Sequence, residues 1–323
     1  MKLLGAMTWF SITLGAVVGG ITFWLACRKR LGKRREQPSP DEWQSLGTLR
    51  VINFYPIKGG ASIQLQQVEC SEFGLHVNGL WERCLLAYDE CGAIVFAGSY
   101  PRMLSIQPVI VGEKVLRLEA PNMPPLTVDL NELLRQPYAV VEKRKNGNFK
   151  RLVECRAEHS EWLSRAVLQR VQGLRLYVKL RPRQGEALDI FPVMVLHERS
   201  VQDLNERLSG RTESVDCQQF RGNLVVDSNA NVPTYDEDHW LWLKIGNNAV
   251  SSTIMCYNSD CLRCILVNVN VHDYTRSPDF EPLRELKKYR LRMNPKEPSM
   301  GVYFDVYKSG LLKVGDQIYV QYK

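Results

Sequence analysis

Between about residues 47 and 130 the chain alternates apolar and polar positions with the period of two that a half-buried strand imposes. Residues 49–55 form one such run, which stops at Pro56, and residues 62–68 alternate cleanly. Residues 115–119 and 126–130 repeat the pattern. Residues 83–88 and 93–96 flank Asp89-Glu90-Cys91-Gly92, a sequence suited to a hairpin turn. Two more strands, residues 302–307 and 315–320, close the chain. Helical periodicity is local. Residues 161–171 set Trp162, Leu163, Ala166 and Val167 on one face. Residues 200–208 open with Ser200 as N-cap and Asp203 three residues on, close to a capping box. Residues 279–289 carry acids early and bases late, which complements a helix dipole. Short strands at this spacing predict a mainly β chain with some α (α+β), built as barrels or sandwiches.

The N-terminal pattern is different. Residues 3–27 contain no charged side chain, enough for a bilayer span of ~20 apolar residues. Trp9, Phe10, Phe23 and Trp24 lie towards its two ends, as interfacial aromatics do. The basic run from Arg28 to Arg35 follows, so the positive-inside rule keeps the rest of the chain cytosolic. A cleaved leader would place its charge before a shorter apolar stretch and end on a small-x-small site; Trp24-Leu25-Ala26 supplies none. The expected order is a signal anchor over residues 1–27, a basic and polar linker over 28–47, and about 270 residues for two modest cores. Charge agrees with that division. The first 35 residues hold seven Lys and Arg and no acid, leaving 35 basic against 35 acidic residues beyond them. The pI of about 8.9 therefore belongs to the membrane-proximal segment, and the folded part gives no sign of nucleic-acid binding.

Candidate chemistry centres on Cys261-Leu262-Arg263-Cys264. A thiolate is a soft, electron-donating ligand, and Arg263 beside Cys264 favours the deprotonated form. Residues 265–271 read as a strand, which would mount Cys264 on a rigid element. Other readings stay open at this level. A lone Cys is often a small buried hydrophobe. Cys256, Cys261 and Cys264 also match the spacing of a plant-type iron–sulfur site, though no fourth Cys follows. A zinc site would need a second pair, and Cys84 and Cys91 are too widely spaced. A redox pair of Cys261 and Cys264 would sit at a helix start, whereas a strand is expected here.

Taken in order, five segments resemble the MOSC (molybdenum cofactor sulfurase C-terminal) superfamily. They are Tyr55-Pro56-Ile57-Lys58, Phe220-Arg221-Gly222-Asn223, Glu237-Asp238-His239-Trp240 with Ile245-Gly246, Cys261-Leu262-Arg263-Cys264, and Lys313-Val314-Gly315-Asp316. With the N-terminal anchor the chain is most similar to the mitochondrial amidoxime-reducing components. The resemblance runs from about residue 49 to the end. It implies an N-terminal β-barrel domain over residues 48–155 and a MOSC β-barrel domain over 156–323. It also implies a molybdenum pyranopterin (Mo-molybdopterin) cofactor with Cys264 as the protein ligand of the metal. The implied reaction is reduction of N-hydroxylated substrates such as amidoximes and hydroxylamines. Electrons would come from NADH through cytochrome b5 reductase and cytochrome b5, at the outer mitochondrial membrane with the enzyme domain facing the cytosol.

The same resemblance assigns the pterin phosphate to the cations Lys58, Arg83 and Arg221 and the pterin ring edge to Asn223, and Arg263 is counted with them as cofactor-binding. Arg102 matches a recurrent position for which a structural salt bridge is an equal reading. The sequence also departs from the family pattern. Gly59 stands where Ser is usual, Gly98 where Arg is common, and Gly222 where Pro is expected. Phe191 and His197 stand where serines are usual, Val267-Asn268 replaces a Thr pair, and Asn270 replaces Asp. Each exchange of a polar donor is worth ~0.5–1.5 kcal/mol. Two outcomes follow: a rearranged, active pocket in which His197 supplies a new donor, or a cofactor-free membrane-anchored scaffold.

Overall fold

A computed structural model of the chain describes Ser39 and residues 42–135, 140–145, 148–181, 193–210, 213–247, 251–291 and 296–323. The expected anchor over residues 1–27, and Phe191, lie outside the described residues. Among the described residues no helix is long and apolar enough to cross a membrane.

The first strand, Gln44–Phe54, pairs antiparallel with Leu224–Ser228 on one side and Gln317–Tyr322 on the other. The ring continues through Trp240–Ile245, Thr253–Leu262, Ser299–Lys308 and Val193–His197 before returning to Leu224–Ser228, a closed barrel of seven strands. Gly47 sits where the first strand changes neighbours, opposite both Ser228 and Ile318. A Cβ there would lie 2.1 Å from the Asp227 carbonyl oxygen, an approach that only glycine allows. Ile52, Val195, Val226, Leu243, Phe304 and Val320 are fully buried in the core.

The segment between the first two barrel strands forms three short sheets. Gln67–Ser71, Gly74–Val77 and Leu80–Trp81 make a sheet whose edge at Gln67–Ser71 pairs with Gly310–Lys313 from near the C-terminus. Gln107–Gly112, Val115–Glu119 and Leu126–Asp129 make a second sheet. Leu85–Asp89, Leu174–Lys179, Asn148–Glu154 and Val140–Lys145 make the third. Strand pairing thus crosses residue 155 in both directions. One apolar cluster joins the barrel to these sheets, and Trp43–Lys323 is a single compact unit.

The helix Ala157–Leu168 buries Trp162, Leu163, Ala166 and Val167, the face its periodicity indicates, and packs on Leu174–Lys179. The helix Glu198–Leu208 begins before Ser200, so Ser200 is not its N-cap; its hydroxyl donates instead to Glu237 Oε2 at 2.7 Å. The third helix, Leu283–Tyr289, is shorter than its charge pattern because Phe280 has left-handed backbone with φ of 58° and the residue before Pro282 is disfavoured in helical backbone. The strand expected over residues 265–271 is absent. Ile265–Asn268 is a 3-10 turn, closed by the Val267 N–H on the Cys264 carbonyl at 3.2 Å. Its β-branched composition serves burial in a cluster rather than pleating: Val267 is 2 % exposed, and Asn268 Oδ1 accepts the Leu283 N–H at 3.0 Å.

Candidate functional site

Strand parity decides which side chains meet. Along Val193–His197, Val193 and Val195 join the barrel core, whereas Met194 and Leu196 join a second cluster with Val201, Leu204, Phe220 and Val267. A cavity of about 270 Å³ lies on the Met194 side, lined also by Tyr303, Lys58, Arg83, Arg221 and Cys264. Three cations far apart in sequence and the candidate thiol are therefore brought together around one cavity.

Each arrives on a constrained piece of backbone. Lys58 follows the first barrel strand, where its N–H donates to the Leu85 carbonyl at 3.0 Å. Arg83 and Arg221 both adopt left-handed backbone, with φ of 53° and 55°. That conformation costs a non-glycine residue about 1–2 kcal/mol and is concentrated at functional positions. A Pro at 222 would push Arg221 towards extended backbone, so the replacement of the family's Pro by Gly222 is compatible with the left-handed Arg221. Cys264 is exposed and free, just beyond the Thr253–Leu262 strand.

Arg221 has the most telling environment. Its guanidinium stacks 4.2 Å from the Tyr55 ring centroid, and Nη1 donates to the Gly60 carbonyl at 2.7 Å. Nη2 is buried without a hydrogen-bond acceptor. Burial draws the Arg221 pKa down to about 10 and pushes the Tyr55 hydroxyl up to about 12. A desolvated cation with an unused donor is a group prepared for an anion.

Three of the expected cofactor contacts are corrected. His197 has the parity of Val195, so it faces away from the cavity. Its Nε2 lies 2.8 Å from Ser228 Oγ and its ring packs on Trp240. It supplies no donor to the pocket. Asn223 is 2 % exposed and does not line the cavity; its Oδ1 accepts the Met194 N–H at 3.0 Å, tying two barrel strands. Arg263 lines the cavity, but its head group is spent on backbone: Nη1 donates to the Phe220 carbonyl at 2.6 Å and Nε to the Met300 carbonyl at 2.8 Å. It clamps the base of the Cys264 segment. Arg102 donates to the Ala166 carbonyl at 3.2 Å, a structural contact.

The departures from the family pattern have physical counterparts. Gly59 has φ of 88°, and a Cβ there would lie 2.8 Å from Phe96 Cα. A Cβ at Gly98 would lie 2.4 Å from the Phe96 ring, which fills that space and forms part of the cavity wall. Asn270 Oδ1 accepts the His272 N–H at 2.8 Å, a local turn contact. Phe96, Gln219 and Tyr303 are lining residues that sequence reasoning missed. Parity offered the only signal, since Tyr303 pairs opposite Met194. Cys261 also lines the cavity, but it is 4 % exposed and lies beside Tyr303. The expected strand no longer argues against a dithiol; the burial of Cys261 does. Among the described residues no three His, Cys, Asp or Glu are grouped to hold a metal ion, so the iron–sulfur and zinc spacings are not realised there.

Comparison with known proteins agrees with this architecture. Residues 46–170 match the MOSC N-terminal beta barrel domain and residues 184–319 the MOSC domain. Mitochondrial amidoxime-reducing component 1 of Danio rerio is 30% identical over 85% of this chain and 85% of its own length. The Mus musculus protein of the same name is 28% identical over 97% of this chain and 92% of its own. Mitochondrial amidoxime reducing component 2 of Rattus norvegicus is 28% identical over 97% and 93%. With both domain models matched in order and relatives aligned along nearly its whole length, the chain belongs to the MOSC family that includes the mitochondrial amidoxime-reducing components.

Proposed function

We propose that this chain is a molybdenum-cofactor-dependent reductase of N-hydroxylated compounds, with Cys264 as the protein ligand of the metal. The carrying observation is the convergence of Lys58, Arg83 and Arg221 with an exposed thiol around one cavity. The donor set fits the proposed group. A phosphate needs fixed cations, and Arg221 Nη2 is a buried donor still lacking an acceptor. When bound, a molybdenum pyranopterin supplies the electron-transfer chemistry that no side chain of the site provides. The chain's own part is to hold the phosphate end with Lys58, Arg83 and Arg221. Arg263 fixes the backbone from which Cys264 projects, and Phe96 and Tyr303 wall the cavity.

In this reading electrons reach the site from NADH through cytochrome b5 reductase and cytochrome b5. The chain is anchored by residues 1–27 in the outer mitochondrial membrane with its folded part in the cytosol. The names of the relatives support the mitochondrial placement, and the uncharged stretch followed by six Lys and Arg from Arg28 to Arg35 supports the orientation. The test is metal and pterin analysis of the full chain in detergent, with amidoxime reduction measured in the presence of the three electron-transfer components. Stoichiometric molybdenum and NADH-dependent turnover are expected. A metal-free protein, under conditions that load an active relative, would establish the cofactor-free scaffold instead.

A further inference from the structure

Behind the cations lies a carboxyl group that the proposed reaction does not use. Glu82 is 5 % exposed and does not line the cavity. Its Oε2 accepts the Tyr55 N–H at 3.0 Å, while Oε1 lies 3.4 Å from Arg83 Nε and has no hydrogen-bond donor. The Arg83–Glu82 pair is therefore loose, and Arg83 reaches the cavity from the other side. Glu82 and an anion in the cavity compete for the same guanidinium.

We propose that Glu82 is a positioning residue of the anion site: it holds the Arg83 guanidinium while the cavity is empty, and it takes up a proton when a bound anion draws Arg83 away. This rests on the reading of the cavity as an anion site. The physical reason is the penalty on a buried, unpaired carboxylate, which neutralises rather than remain charged. Burial already raises the Glu82 pKa, and the neighbouring Arg83 is the largest influence opposing it. Transferring that guanidinium to an anion removes the opposition, and the anion's own charge adds to the upward shift.

Tyr55, Cys84 and Arg221 do not titrate in the same range. Tyr55 and Cys84, both beside Glu82, are pushed up to about 12 by burial. Arg221, at about 10, stays charged through neutral pH. Asn223 contributes a neutral amide. Proton uptake on binding requires, by linkage, that anion affinity rise as pH falls.

The test uses sulfate, a dianion that does not itself titrate near neutrality, added to the cofactor-free full chain in detergent. Calorimetry in two buffers of different ionisation enthalpy reads the protons exchanged. The wild type is expected to take up protons on binding sulfate, to a limit of one per sulfate. Its affinity should strengthen on acidification by up to about tenfold per pH unit. Glu82→Gln keeps the acceptor for the Tyr55 N–H; it should bind sulfate with no proton uptake and a flat pH profile. Glu82→Asp should restore part of the pH dependence, which a purely structural role would not do. Sulfate binding without proton uptake in the wild type, or the same uptake in Glu82→Gln, overturns the proposal while leaving the anion site standing. If wild type binds no sulfate at any pH, both the proposal and the anion-site reading fall.

Discussion

Arg221 combines burial, stacking on Tyr55 and an unused donor in one side chain, so its loss should weaken cofactor retention more than it disturbs the fold. One charge-assisted contact of ~1.5–3 kcal/mol corresponds to about ten- to hundred-fold weaker binding. Molybdenum content of Arg221→Ala after dialysis should fall by that order relative to wild type; unchanged content would remove Arg221 from the phosphate site. The thiols make a second contrast. Cys264→Ser should abolish amidoxime reduction, because the exposed thiol is the proposed ligand. Cys261→Ser should retain most turnover, since Cys261 is buried beside Tyr303. Equal loss in both would point to a dithiol mechanism. That Lys58, Arg83, Arg221 and Cys264 belong together could be read from the sequence as far as their shared cavity, because each sits in its own short motif. His197 and Asn223 were misassigned because a motif says nothing about which face of a strand a residue occupies. Val193–His197 shows this plainly: Met194 reaches the cavity, and His197, three positions on, faces Ser228.

The segment after the Thr253–Leu262 strand illustrates the limit one level up. Residues 265–271 have strand composition, yet Ile265–Asn268 turns into a 3-10 helix because Val267 and Asn268 are claimed by tertiary partners. What holds that turn in place is Arg263, whose guanidinium satisfies the Phe220 and Met300 carbonyls from inside the protein. Removing it leaves both acceptors buried and unpaired at ~1–3 kcal/mol each. Arg263→Ala should therefore lose about 2–5 kcal/mol in denaturant unfolding. Arg263→Lys should recover only a fraction, because an ammonium cannot reproduce the planar fork. A midpoint within error of wild type for Arg263→Ala would show that the clamp is dispensable. Val115–Glu119 formed as its alternation indicates, whereas the equally regular run over 62–68 breaks at Gln66 into Ile63–Leu65 and Gln67–Ser71, which pair with different strands.

Alternation along the chain announces strands but not the ring they close. Nothing local indicates that Gln44–Phe54 bridges Leu224–Ser228 and Gln317–Tyr322, or that Gly310–Lys313 returns to pair with Gln67–Ser71. Those pairings are set by long-range burial, with Gly47 as their one sequence trace. Charge is distributed on a similarly large scale, and it bears on where the molecule resides. All the formal excess of +7 is accounted for by the first 35 residues. A neutral folded part has no general attraction to an anionic membrane, so the proposed attachment rests on the uncharged residues 3–27 and the basic run behind them. Basic residues immediately after an apolar stretch favour the cytosolic side. Protease added to intact mitochondria should consequently release the folded part, cutting in the Pro-containing linker around residues 36–42. Alkaline carbonate should leave the uncut chain in the membrane pellet. Replacing the six basic residues from Arg28 to Arg35 with neutral ones should weaken this orientation and raise the protease-resistant fraction. Complete protection of the wild-type folded part in intact organelles, with digestion only after the outer membrane is opened, would place the domain on the opposite side and exclude electron delivery from a cytosolic donor.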